Sequence, residues 1–194
     1  MSGGITLQDL TACGAHQRGH FLLSSGLHSA DYLQCALYLA HPRRSAHAGG
    51  LLAGAIVEAG FDPEIIVAPA MGGLIIGHET ARALDLPFIF TERAEGEMLL
   101  RRGFGLAPGQ RVVVVEDVVT TGRSTREVIS ILENLGAEVT GVASQVNRSG
   151  DPQPFAPLSS RALLEVEFPT WKPEECPLCR DGEPITKPGS RPIT

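Results

Sequence analysis

Between residues 64 and 145 the chain alternates short apolar runs with longer amphipathic stretches. Residues 64–68 (EIIVA) lie between Pro63 and Pro69, and 87–90 (PFIF) form a second run. Residues 111–116 (RVVVVE) show no polar alternation, so both faces of that strand are expected to be buried, as in a parallel sheet. Residues 138–145 (EVTGVASQ) form a fourth strand. Helices are predicted over 72–84 and 126–135. In the second, Val128, Ile131, Leu132 and Leu135 recur at i, i+3, i+4 and i+7, and Gly136 closes the element. This order predicts an open α/β sheet with right-handed crossovers. The N-terminal third, with a helix near 6–16 and strands near 20–23 and 32–38, reads as a smaller flanking piece. Nine of the fourteen prolines lie from Pro152 onward, so the tail is predicted to be mostly irregular, with one strand at 162–166. Internal repeats and low-complexity tracts are absent.

Composition narrows the picture. A chain of 194 residues that is 43% hydrophobic suits one domain, 1–194, with a full core. The net charge of −6 argues against a nucleic-acid or membrane-surface partner. Fourteen of the sixteen basic residues are Arg, and the only lysines, Lys172 and Lys187, lie in the tail. A mechanism that needs a lysine from the body of the protein is therefore excluded. The N-terminal segment carries Gln8, Asp9 and His16 and lacks a signal-peptide apolar run. Apolar runs such as 51–57 fall far short of the ~20 residues that span a bilayer, so a soluble cytoplasmic protein is expected. Four cysteines do not suggest a secreted disulfide scaffold.

The candidate chemistry is concentrated in VVVVEDVVTTGRST, which runs from a buried strand through two acids and a small-residue loop into a helix. Ligands of open α/β sheets sit outside the carboxyl ends of the strands, where Glu116 and Asp117 fall. The following helix N-terminus offers free backbone N–H groups and a partial positive charge, which suit a phosphate. Gly122 permits close backbone approach, and Thr120, Thr121 and Ser124 add hydroxyls. Residues 124–127 (STRE) also fit a capping box. An ordinary capped helix after a strand is the simpler reading. It leaves the adjacent acids unexplained, because buried charge is costly unless paired. Carboxylates beside a phosphate loop suit a phosphorylated sugar: N–H groups take the phosphate, and the acids take vicinal hydroxyls. A nucleotide-triphosphate loop would need Gly-Lys-Ser/Thr, whereas Arg123 follows Gly122.

The segment resembles the phosphoribosyl pyrophosphate signature of type I phosphoribosyltransferases. The resemblance implies that Glu116 and Asp117 hold the ribose hydroxyls. It implies that the loop Val118, Val119, Thr120, Thr121, Gly122, Arg123 and Ser124 holds the 5′-phosphate, and that Mg²⁺ is carried mainly by the substrate rather than by protein ligands. Four further segments resemble orotate phosphoribosyltransferase. Residues 19–26 (GHFLLSSG) continue to Tyr32; Ser25, Gly26 and Tyr32 match positions that cover the orotate ring, although a plain β-turn would explain this stretch by itself. Residues 68–73 (APAMGG) match the pyrophosphate loop, with Met71 and Gly72 standing where the family often has an aromatic-lysine pair. Residues 147–150 (NRSG) place Arg148 where the family binds the orotate carboxylate, and a guanidinium suits that planar anion. Thr120 is the other orotate-site position.

The fourth segment, 90–104, aligns with a flexible catalytic loop that reaches into the neighbouring subunit of a homodimer. Arg93 matches its leading arginine. The usual lysines and histidine are missing: Ala94, Glu95, Gly96, Glu97, Met98 and Leu99 stand there instead. Arg101 and Arg102 either substitute for them or form a basic turn beside an exposed strand. In the tail, Cys176 and Cys179 have the spacing of half a zinc site, which would need His or Cys from elsewhere. A redox pair and plain structural cysteines are the other readings. The six histidines show no helical i, i+4 ligand spacing.

The resemblance implies a type I phosphoribosyltransferase fold: an α/β, mostly parallel sheet flanked by helices, with a small hood built from about 1–45 and about 150–194. It implies transfer of the 5-phosphoribosyl group from phosphoribosyl pyrophosphate to orotate in UMP biosynthesis, with Glu116, Asp117 and Arg93 as catalytic groups and Mg²⁺ as cofactor. A sister enzyme acting on a purine or uracil, and a non-catalytic phosphoribosyl-pyrophosphate-binding regulator, are the alternatives.

Overall fold

The computed structural model describes residues 3–188. The chain groups into two compact units, one of Leu39–Val166 with the residues up to Ile5, the other of Thr6–Tyr38 with the segment from Glu167. Among the described residues no helix is long and apolar enough to cross a membrane.

The larger unit is built on six strands: β3 (Ile65–Pro69), β4 (Phe88–Ala94), β5 (Glu97–Leu100), β6 (Arg111–Val119), β7 (Glu138–Asn147) and β8 (Ser160–Glu165). Their order is β5-β4-β3-β6-β7-β8, parallel except for the antiparallel β4/β5 pair. The apolar runs are central because they must be. Val112 to Val115 on β6 and Ile66 to Ala68 on β3 are fully buried, as expected of strands covered on both faces. Helices α4 (Gly73–Leu84) and α5 (Arg123–Asn134) fill the crossovers. On α5 the buried stripe is Val128, Ile129 and Leu132, while Leu135 is exposed and Ile131 is only half-buried. The inward face is thus rotated slightly from the predicted one.

A 17-residue helix, α3 (Pro42–Glu58), has no counterpart among the predicted elements. Its sequence is rich in glycine, a poor helix former. The reason is packing: a Cβ at Gly49 would lie 2.5 Å from the Glu79 backbone on α4. Close helix approach requires the residue that weakens the helical signal. A second difference is β5. The segment expected as a flexible loop is mostly a hairpin, with Thr91 opposite Leu100 and Ala94 opposite Glu97. Glu95 and Gly96, at φ 52° and 90°, make the two-residue turn.

The smaller unit carries α1 (Leu7–Ala12), β1 (His16–Leu22) and β2 (His28–Leu33); α2 (Cys35–Leu39) follows β2. Helix α2 occupies residues predicted as strand. The tail adds β9 (Thr170–Trp171), a 3₁₀ turn (Pro173–Glu175) and α6 (Pro177–Arg180), so it is less irregular than its prolines suggest. These strands form an antiparallel sheet in the order β1-β2-β9. Between Arg18 and Phe21 the β1/β2 register slips by one residue. At this bulge two successive side chains, His20 and Phe21, are both buried, which regular alternation forbids.

Candidate active site

Strand β6 runs three residues beyond its predicted end and carries the acids with it. Glu116 pairs with Ser144 of β7, and Val118 and Val119 pair with Val146 and Asn147. Glu116 is buried and Asp117 half-buried. Asp117 N–H donates to Glu116 Oε1 at 3.2 Å, and Val118 N–H donates to Asp117 Oδ1 at 2.8 Å. Among the described residues neither acid makes an ion pair with Arg, Lys or His. Burial, reinforced by the charge of Asp117, holds the Glu116 carboxyl well above the usual range. Burial also raises Asp117, partly offset by its hydrogen bonds. Two adjacent acids with no cationic partner are held ready for an external donor or cation.

Those acids face an open cleft of about 210 Å³ lined by Pro69, Ala70, Gly72, Glu116, Asp117, Val118 and Ser124. A contiguous recess of about 40 Å³ is lined by Glu116 and residues 118–125. The predicted phosphate loop and pyrophosphate loop therefore meet at one place. Gly72 lies on the second wall, whereas Met71 is 80% exposed and is not among the lining residues. A Cβ at Gly72 would sit 2.6 Å from Asp117 Oδ1, so only glycine leaves the carboxylate its room.

The predicted capping box does not form. Gly122, at φ 69°, is the N-cap of α5, and no side chain caps the helix. Ser124 lies inside the helix, and Glu127 accepts hydrogen bonds from Arg93 and Arg123 instead. Slight burial pulls the Glu127 carboxyl up, but the two guanidiniums outweigh it and hold it below the usual range. Arg123 N–H donates weakly to Thr121 Oγ1 at 3.4 Å, and the first turn otherwise lacks a side-chain cap and lines the recess, an arrangement suited to a phosphate. Thr120, Thr121, Arg123 and Ser124 are exposed there.

Arg126 supports this loop and gave no signal in the sequence. Its guanidinium donates to Thr121 O at 2.6 Å and Pro154 O at 2.7 Å and lies over the Phe155 ring. Arg93, at the end of β4, donates to Gly96 O at 2.6 Å and to Glu127 of its own chain. Arg101 and Arg102 pair with Glu92 at 3.7 and 2.8 Å, a basic turn on the β4/β5 hairpin. Arg148 follows β7, and its N–H donates to Val119 O at 2.9 Å, which sets it against the start of the phosphate loop. Asn147 holds the next turn, accepting from Ser149 Oγ at 2.7 Å and donating to Asp151 O at 2.7 Å. Ser25 and Tyr32 belong to the smaller unit. Ser25 lies in the turn between β1 and β2, and the Tyr32 hydroxyl donates to Gln34 Oε1 at 2.8 Å.

The phosphoribosyl transferase domain model matches residues 36–155. Orotate phosphoribosyltransferase of Carboxydothermus hydrogenoformans is 49% identical over 173 residues, covering 89% of this chain and 90% of that protein. The chain belongs to the orotate phosphoribosyltransferase family. The enzyme of that name from Thermotoga maritima is 46% identical, over 94% of this chain and 96% of its own. Among solved structures, orotate phosphoribosyltransferase from Aeropyrum pernix superposes with a TM-score of 0.66 at 27% identity, covering 81% of this chain and 92% of that one. The type I phosphoribosyltransferase fold and its matched domain thus coincide with the unit that carries the acid pair.

Proposed function

We infer that the protein transfers the phosphoribosyl group of phosphoribosyl pyrophosphate to orotate, giving orotidine 5′-phosphate and pyrophosphate. The observation that carries this reading is the pair of buried Glu116 and half-buried Asp117, without a cationic partner, beside a helix N-terminus with no N-cap side-chain bond. In the proposed reaction the C1–O bond to pyrophosphate breaks, the electron pair leaves with pyrophosphate, and an orotate ring nitrogen bonds C1 and gives up its proton to the departing pyrophosphate or to water. Positive charge develops on the ribose. Positioning and charge stabilisation do most of the work, and no covalent nucleophile is required. The loop from Thr120 to Ser124 holds the 5′-phosphate, and the two acids accept from the ribose hydroxyls. Gly72 lines the pyrophosphate side. Arg148 takes the orotate carboxylate in a bidentate pair.

Magnesium fits this donor set. Mg²⁺ favours oxygen ligands, keeps several waters and is bound through one or two carboxylates plus substrate phosphates, and Glu116 and Asp117 are the carboxylates that line the cleft. When bound it would neutralise the pyrophosphate charge. We propose a homodimer on the strength of the family resemblance; sedimentation equilibrium reads the assembly directly.

The deciding experiment incubates the pure protein with phosphoribosyl pyrophosphate and Mg²⁺ and follows the loss of orotate absorbance. Uracil, hypoxanthine and adenine serve as alternative acceptors. Consumption of orotate alone, abolished by chelation and restored by Mg²⁺, is expected. Transfer to adenine or hypoxanthine in preference to orotate would move the protein to the purine branch, and no transfer at all would leave a regulator.

A further inference from the structure

The tail cysteines acquire partners that sequence spacing did not reveal. His20, His28, Cys176 and Cys179 bring one ligand atom each into a group whose members all lie within 4.8 Å of one another. His20 Nε2 is 3.0 Å from His28 Nδ1 and 3.6 Å from each sulfur, and Cys179 Sγ is 3.3 Å from His28 Nδ1. Both cysteines are free thiols. All four residues belong to the smaller unit.

We propose that this cluster is a structural zinc site that clamps the β1/β2 hairpin to the tail. The separations fit. Tetrahedral zinc with Zn–S of about 2.3 Å and Zn–N of about 2.0–2.1 Å sets nitrogen–sulfur edges of roughly 3.6 Å and a nitrogen–nitrogen edge of roughly 3.3 Å. Two thiolates and two neutral imidazoles also cancel the charge of Zn²⁺, so the complete site can be buried without an unpaired charge. The donor type, two sulfurs and two nitrogens, is the set that selects zinc over Mg²⁺.

The surroundings are those of a built site. His20 is 4% exposed, His28 6% and Cys176 0%, while Cys179 remains exposed and leaves a route in. His20 Nδ1 lies 2.8 Å from the carbonyl oxygen of Glu183. A proton on that nitrogen donates to the carbonyl and leaves Nε2 with its lone pair toward the sulfurs, the orienting bond that metal-bound histidines usually make. The bulge in β1 turns His20 inward beside Phe21. His28 comes from the start of β2, so the two histidines meet across the hairpin at a separation no helical spacing would show.

The site also answers a need of the unit that contains it. Among its described residues the large buried apolar side chains are few: Leu10, Phe21, Leu33 and Tyr38. Small units of this kind commonly depend on a metal or disulfide. Cys176 and Cys179 stand in a tail rich in proline that contributes only short elements. A four-ligand clamp would order that tail and fix its position on the hairpin, with no part in catalysis.

The test is metal content. Full-length protein, prepared without metal-affinity steps or chelators, is expected to hold about one zinc per chain by plasma mass spectrometry. Cobalt exchanged into it should show the visible absorption of a tetrahedral thiolate complex. Cys176→Ser with Cys179→Ser, and separately His28→Ala, should lose the metal, and in His28→Ala alkylation of Cys176 should accelerate. Stripping zinc from the wild type should lower its thermal midpoint, with recovery on Zn²⁺ but not on Mg²⁺. Because the wild-type measurements stand alone, a variant that fails to fold does not decide the matter. A wild type that neither carries zinc nor takes it up, a Cys176–Cys179 disulfide in the purified protein, or a double serine variant that keeps its zinc would overturn the proposal.

Discussion

Replacing Gly72 by alanine tests the geometry of the acid pair with one methyl group. Gly72 sits at φ −59° and ψ −45°, a helical conformation that alanine adopts without strain. Its backbone should therefore gain rather than lose stability, by about 0.4–1 kcal/mol from the restricted unfolded chain. The cost falls elsewhere. The new Cβ would stand 2.6, 2.7 and 2.8 Å from Oδ1, Oδ2 and Cγ of Asp117, where ordinary contact begins at 3.4 Å. The carboxylate must withdraw by roughly 0.7 Å. A misplacement near 1 Å in a catalytic constellation can cost about 10²-fold in rate, so kcat/KM for orotate should fall by up to about two decades in a protein that melts no lower than wild type. Gly50→Ala is the control. Gly50 lies inside α3 with no atom within 4 Å of its Cβ position, so it should add up to about 1 kcal/mol and leave turnover alone. The assay pairs steady-state kinetics with calorimetric melting. Full activity in Gly72→Ala would refute the idea that the placement of Asp117 matters. A large drop in melting temperature would show that the chain around Gly72, rather than the carboxylate, absorbs the methyl.

Further expectations follow from the same site. Asp117→Asn should fold normally and lose about 10²–10³ in kcat/KM, by analogy with removing one preorganised electrostatic partner; near wild-type kinetics would defeat the role. Because Glu116 is held above its ordinary 4.5 by burial, its protonated form is favoured in the fold. That contribution is present below the ordinary value and lost as pH rises through the folded one. Glu116→Gln should therefore melt higher than ligand-free wild type at pH 8, converge with it in acid and be inactive; a lower melting point at pH 8 would contradict the sign. Arg148→Ala should raise KM for orotate at least tenfold, since a hydrogen bond to a charged group is worth roughly 1.5–3 kcal/mol. Its phosphoribosyl pyrophosphate dissociation constant should stay within a few-fold, and equal losses for both substrates would point to general disruption. Arg93 lies on the segment that, by the family resemblance, reaches into the neighbouring subunit, so mixing Arg93→Ala with Asp117→Asn subunits should raise activity above the parental average; no gain would show that Arg93, which bonds Glu127 of its own chain, does not serve its partner's site.

What the sequence determined by itself is what local pattern encodes. The uninterrupted apolar run 112–115 can be satisfied only in the middle of a sheet, and its acids and Gly122 mark the strand-to-helix turn that receives the phosphate. The same run through the small-residue loop carried the family. Tertiary structure decided whatever depends on partners distant along the chain. Glu127 looked like a cap for its own helix, but the Arg93 and Arg123 guanidiniums offered it charged donors and Gly122 took over the N-cap. Helix α3 was hidden because its three glycines erase its periodic signal, and one of them, Gly49, is what lets it approach α4. The 90–104 segment lost the lysines of a mobile loop and closed as a hairpin around Glu95 and Gly96. His20 and His28 were invisible as ligands because a one-residue bulge and a sheet register, not a sequence spacing, bring them to Cys176 and Cys179. Burial and hydrogen-bond registry are properties of the assembled chain, and no window along the sequence contains them.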